Sequence, residues 1–274
     1  MFGKLLKNDL KAQAHTMSGI FLVIAVVSVV AECVAIFSSN KLVAVLSGML
    51  VMLALGFACI IVIIACAIMF NNTMYGRAGY LTLTLPVKTD SLLISKSLSS
   101  LIWIFTTYAL FISSLVLWVY QVQDRLGENF TESVETLFTL LGAPSFSTIA
   151  MCIGIFLVTL AVIVLLSVQS LQFAISASNV SPVSKFGTIG AIILFFVTFG
   201  VLQTVASSVS EILPIGVVIT SETIKFTTDI AATKANEASG AMAINTAGTL
   251  VRTVLAVAMH FPTAYLVKHK INVK

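Results

Sequence analysis

Leu42-Val-Ala-Val-Leu-Ser-Gly-Met-Leu-Val-Met-Leu-Ala-Leu-Gly-Phe-Ala-Cys-Ile-Ile-Val-Ile-Ile-Ala-Cys-Ala-Ile-Met-Phe70 holds no charged residue from end to end. A bilayer core about 30 Å thick is crossed by roughly 20 apolar residues in a helix. This run is longer than that, so it spans the membrane and either tilts or projects into the cytoplasm. Residues 58% hydrophobic and only 9% charged, with a mean hydropathy of +1.07, extend the same reading to the whole 274-residue chain. A soluble domain with a polar surface does not reach such values.

Working outward, five further apolar runs flank the first. The expected spans are about 17–37, 42–70, 97–120, 148–176, 186–206 and 241–267, which makes one six-helix, all-α membrane domain over residues 1–274. Before them, Met1 to His15 sets Phe2, Leu5, Leu6 and Leu10 against Lys4, Lys7, Asn8 and Lys11. That pattern predicts an amphipathic helix lying on the membrane surface. Between the third and fourth spans the acidic stretch Gln121 to Ser147 predicts a short external helix over Thr131 to Leu141. The apolar piece Ile212 to Ile219, interrupted by Pro214 and Gly216, is too short to cross and reads as a dip into the outer leaflet.

Charge fixes the expected orientation. Lys4, Lys7, Lys11, Arg77, Lys88, Lys96, Lys185, Lys268, Lys270 and Lys274 fall on one side, against Lys41, Arg125, Lys225 and Lys234 on the other. Cytoplasmic loops carry the excess of lysine and arginine, which predicts a cell-membrane protein with both termini in the cytoplasm. Cys33, Cys59, Cys66 and Cys152 all lie in apolar runs. Cys59 and Cys66 stand about 10 Å apart along one helix, too far to bridge, and no zinc spacing exists.

No phosphate-binding Gly-x-x-x-x-Gly-Lys-Ser/Thr and no His-Glu-x-x-His occurs, so nothing in the chain reads as ATP-hydrolysing or metalloprotease chemistry. Nor does it read as binding nucleic acid. Glu32 and Arg252 are the acid and the base well inside apolar runs. Such charges are costly unless paired or able to snorkel, and both readings stay open: an intramembrane ion pair between the first and sixth spans, or separate reach to the headgroups.

The segment with fixed-geometry residues is Tyr75-Gly-Arg-Ala-Gly-Tyr-Leu-Thr-Leu-Thr-Leu-Pro-Val-Lys-Thr-Asp-Ser-Leu-Leu-Ile-Ser-Lys96. Its order Gly79-Tyr80-Leu-Thr-x-Thr-Leu85-Pro86-Val, followed by Ser95-Lys96, resembles the loop between the second and third helices of ABC-2 type transporter permeases. The residue-level likeness covers about Tyr75 to Trp103. It departs from the family pattern just before Gly79, where Arg77 and Ala78 stand in place of the usual acidic residue.

The resemblance implies a membrane-spanning exporter half that pairs with a second permease half, as homodimer or heterodimer, and with a separate ATPase that binds ATP and magnesium. Tyr75, Arg77, Gly79, Tyr80, Leu83, Leu85, Pro86 and Lys96 would then form the ATPase-coupling loop. The second and fifth helices would line the path with Met49, Met52, Phe57, Phe195, Phe196 and Phe199, a soft apolar surface suited to a hydrophobic or amphipathic peptide, toxin or lipid-like cargo. Two readings of other classes stand beside it: a membrane immunity or interaction protein that uses its acidic external segments, and an ion-coupled secondary transporter.

Overall fold

The computed structural model describes residues 2–37, 41–76, 79, 87–126, 146–180, 183–219, 224–228 and 242–269. Six helices in it are long and apolar enough to cross a membrane: α1 Phe2–Phe37, α2 Lys41–Met74, α3 Thr89–Leu126, α4 Phe146–Ser178, α5 Gly187–Ile212 and α6 Ala247–His269. In lipid every backbone polar group must be satisfied within the segment, and a helix does this on its own. The protein is a helical, multi-pass membrane protein.

The chain divides into two compact units, residues 1–130 with 271–274, and residues 131–270. In the first, α1, α2 and α3 each pack against the other two. Buried residues on α2 recur as Val51, Leu55, Ala58, Val62, Cys66, Phe70 and Met74, the stripe that a 3.6-residue turn lays along one face. The opposite face, with Leu46, Met49, Leu53, Phe57, Ile60 and Ile64, is exposed and apolar, as a lipid-facing surface is. Near the far end of the bundle Gly48 lies directly under the indole of Trp118, so that a Cβ at this position would fall inside the ring.

The N-terminal segment departs from expectation. Met1 to His15 is predicted to lie on the surface apart from the first span, yet Phe2–Phe37 is one unbroken helix of 36 residues. Its charged residues Lys4, Lys7 and Lys11 are exposed, while Gln13 and Met17 are buried. The amphipathic pattern therefore serves a protein contact, with α3, as well as a solvent face. At about 1.5 Å per residue α1, α2 and α3 each exceed the hydrocarbon thickness by about 20–27 Å.

In the second unit α4 packs against both α5 and α6, which also meet each other. The C-terminal half of α4 is buried on most of its circumference, with Leu166, Val168, Ser170, Gln172, Ala174, Ile175, Ser176 and Ser178. Its serines return their hydroxyls to their own helix, Ser170 to Leu166 O at 2.7 Å, Ser176 to Gln172 O at 2.7 Å and Ser178 to Ile175 O at 2.9 Å. Small self-satisfied residues let helices approach closely in a membrane. A 3-10 turn, Val183–Phe186, then leads to Gly187, whose φ of +53° is open to glycine and strained for other residues.

Two boundaries of the second unit also differ from expectation. The fifth helix continues to Ile212, beyond residue 206. The sixth begins at Ala247, because Met242–Asn245 is a strand. Within the piece Ile212 to Ile219, Ile212 ends α5 and Gly216–Ile219 is the centre of a three-stranded antiparallel sheet, in the order Ile224–Thr227, Gly216–Ile219, Met242–Asn245 (β2-β1-β3). Gly216 pairs with Thr227 on one side and with Asn245 on the other. Asn245 joins sheet to helices: its Oδ1 caps α6 by accepting from Ala247 N at 2.9 Å, and its Nδ2 donates to Ser210 O of α5 at 2.8 Å. The helix predicted over Thr131 to Leu141 lies outside the described residues.

Replacing Gly48 by Leu should displace the Trp118 indole and cost about 1–3 kcal/mol through overpacking. Thermal unfolding in detergent should fall by several degrees, and Trp118 fluorescence, followed in a Trp103→Phe background, should shift. A variant as stable as wild type would disprove the close α2–α3 approach.

Candidate functional site

The segment joining α2 to α3 is held at both ends by backbone geometry. Beyond Met74 the chain closes in turns, Tyr75 N to Asn71 O at 2.8 Å, Gly76 N to Asn71 O at 3.2 Å and Gly79 N to Gly76 O at 2.8 Å. A Cβ at Gly76 would stand 2.7 Å from Asn72 O, and one at Gly79 2.5 Å from Met74 O. Both distances are below contact with main-chain atoms that cannot swing away, so the turn needs glycine at both places. Tyr75 is buried, its ring meeting Phe70 edge-on at 6.3 Å.

On the far side of the segment, α3 begins at Thr89 with Asp90 in its first turn, where a carboxylate suits the helix dipole. Leu92 and Leu93 are already buried. Of the residues assigned to the loop, Arg77, Tyr80, Leu83, Leu85 and Pro86 lie outside the described residues, and Gly79 is buried. Lys96 is not a loop residue: it sits two turns inside α3 and is 5% exposed.

Lys96 belongs to a polar seam between α1 and α3. Its Nζ is 3.3 Å from Asp9 Oδ1, and Ser95 Oγ donates to Asp9 Oδ2 at 2.6 Å. One turn further along, Gln13 Nε2 donates to Ser99 Oγ at 3.0 Å, and that hydroxyl donates in turn to Lys96 O at 3.1 Å. Phe21 then meets Trp103 at 5.7 Å. Asp9 with Ser95 and Gln13 with Ser99 keep one constant offset, so α1 and α3 run parallel and place their N-terminal ends together.

Asp9 was not singled out by sequence reasoning, nor were Gln13, Ser95 and Ser99 as its companions. One signal was available. Asp9 is a lone carboxylate among Lys4, Lys7 and Lys11, and a single acid in a basic helix asks for a partner. The four serines Ser95, Ser97, Ser99 and Ser100 on one short stretch of α3 carried a second signal, of a buried small-residue face.

The remaining candidates fall into separate places. Arg252 on α6 donates from Nε to Gln203 Oε1 on α5 at 2.8 Å. The side chain of Glu32 lies outside the described residues. Met49 and Phe57 are on the exposed face of α2, with Met52 half-buried. On α5 Phe195 stacks with Phe199 at 5.7 Å and 16° and meets Phe196 edge-on at 5.4 Å, while Phe196 is exposed. Among the described residues no cluster of His, Cys, Asp and Glu could hold a metal ion.

Removing one partner of the Asp9–Lys96 pair leaves the other charge buried. Lys96→Met and Asp9→Leu should each destabilise by about 3 kcal/mol or more, and the double variant by less than the sum. Denaturation of the four proteins of the cycle in mixed micelles measures the coupling, and strict additivity would show that the pair does not interact. No protein-family model matches the chain, and neither a curated protein nor a solved structure does.

Proposed function

We propose that the chain is the membrane-spanning half of an ATP-driven exporter of the ABC-2 type, coupled through the segment between α2 and α3 to a separate ATPase. The observation that carries this reading is the pairing of a family-like loop sequence, Gly79 to Pro86 with Ser95-Lys96, with a rigid mount. The close backbone turn at Gly76 and Gly79 fastens the loop to α2, and the Asp9–Lys96 and Gln13–Ser99 contacts fasten the start of α3 to α1. A push on such a loop passes to three helices together. A slack loop would absorb it.

Charge supports an orientation for this exporter half. In the first unit Lys4, Lys7, Lys11 and Lys88 gather at one end of the bundle, and in the second Lys185 and Lys268 flank the α4–α5 turn and the end of α6. With those ends in the cytoplasm, the loop faces a soluble ATPase, which would hold ATP and magnesium. ATP-driven closure of the ATPase pair would bias two packings of the helices. The exposed apolar face of α2 with Met49 and Phe57, and the phenylalanine ladder of α5, suit a hydrophobic or amphipathic cargo or the second permease half.

Co-expression with a candidate ATPase tests the coupling. Leu83→Asp with Leu85→Asp should leave membrane insertion intact, abolish co-purification of the ATPase and remove transport-linked ATP turnover in nanodiscs. Retention of full coupled turnover would refute coupling through this loop, and failure of the wild-type chain to bind an ATPase would refute the exporter reading and favour a membrane interaction protein. Orientation is tested separately by labelling single cysteines in a Cys-free background. An impermeant thiol reagent applied outside cells should modify Glu132→Cys and spare Lys88→Cys, and the opposite pattern would reverse the topology.

A further inference from the structure

Arg252 carries a permanent positive charge inside the apolar helix Ala247–His269, about 8 Å along its axis from the first residue. A guanidinium has five N–H donors. Here Nε is committed to the neutral Oε1 of Gln203, and no carboxylate among the described residues pairs with it. A cation at membrane depth without a counter-charge is expensive. Among the described residues its Nη donors have no acceptor.

Its shape is built. The guanidinium lies across Gly248, where a Cβ would stand 2.9 Å from Nη1 and 3.3 Å from Ser210 Cβ. Gly248 thus forms a notch between α5 and α6. The walls are fixed by hydrogen bonds: Ser210 Oγ donates to Ser207 O at 2.7 Å, Ser210 O accepts from Asn245, and Thr249 meets Thr159 at 3.4 Å. With Nε tied to Gln203, the Nη edge is presented as a fork rather than swept freely toward water. Arg252 and Gln203 are both half-exposed, so the fork is reachable from the membrane. Leu250 and Val254 on α6, and Val201 and Val205 on α5, stand two residues from Arg252 and Gln203 and so turn away from the fork as exposed, lipid-facing side chains.

We propose that Arg252, seated over Gly248 and oriented by Gln203, binds the phosphate oxyanion of a membrane phospholipid headgroup, with net-anionic lipids preferred. An arginine fork matches two phosphate oxygens at once. The setting decides between a lipid and free phosphate, because the fork is carried by a helix long and apolar enough to cross a membrane, where phosphate is met as a lipid headgroup. This binding is independent of the exporter reading, and an ATPase that fails to bind leaves it unaffected.

The full chain, delipidated in detergent, is titrated with short-chain phosphatidylglycerol, phosphatidylcholine or inorganic phosphate and read by native mass spectrometry. Wild type should retain phosphatidylglycerol in preference to phosphatidylcholine, and inorganic phosphate should not displace it. Arg252→Gln should weaken binding by about tenfold, Arg252→Lys and Gln203→Leu by less, and Lys185→Gln, at the other end of α5, not at all. Should Arg252→Gln fail to fold, Gly248→Val, which crowds the guanidinium out of its notch and keeps the charge, takes its place with the same expected loss. Equal retention of the two lipids by wild type, displacement by phosphate, or undiminished binding in the folded variants would overturn the proposal. So would tighter lipid binding by Glu32→Gln, which would make that carboxylate the resident partner of the guanidinium.

Discussion

Asp9 and Lys96 meet between α1 and α3 with side chains only 14% and 6% exposed, and the arrangement of the first unit depends on that meeting. A buried ion pair is poor at adding stability, because desolvation offsets most of the attraction. It is good at choosing one arrangement among many. A helix bundle held by valines and leucines can slip by a turn at little cost, whereas a slip here would leave two charges and a serine without partners. The polar contacts therefore set the register, and the apolar stripe of α2 fills the space that the register defines.

That register also explains why the first unit is so long. Three helices that each outrun the hydrocarbon by about 20–27 Å would fray if their extensions were separately solvated. Instead α1 and α3 lie side by side through Asp9, Gln13, Ser95 and Ser99, with Leu92, Leu93, Met74 and Tyr75 closing the apolar interior beneath them. The turn at Gly76 and Gly79 is thereby carried on a braced support.

Much of this was legible in the sequence, and the reason is the bilayer. Its thickness dictates the length of an apolar run, so the six helices could be placed from hydropathy alone. What the bilayer does not dictate was harder to see. Lys96 reads as the last residue of a loop, but the helix begins at Thr89 because Thr-Asp is a good helix start and Leu92 and Leu93 have a bundle to pack into. Asp9 could be seen as unusual among lysines, yet its partner lies 87 residues away and is fixed by packing. Gly216–Ile219 is too short for periodicity to separate strand from helix, and its partners Ile224–Thr227 and Met242–Asn245 are ordinary in isolation. The environment of Arg252 was equally hidden, since Gln203 is one neutral residue in a long helix.

The serines of α4 have a mechanical consequence. Because Ser170, Ser176 and Ser178 return their hydrogen bonds to their own backbone, their contribution to the packing against α5 and α6 is smooth: a neighbouring helix can translate or rotate past them without breaking a polar contact or baring a donor. The first unit is indexed like a gear by its ion pair, whereas these serines of the second behave as a bearing, on a helix that Thr159 ties to Thr249 nearer its other end. Stiffness and compliance are thus distributed along one polypeptide by whether its small polar residues bond outward or inward.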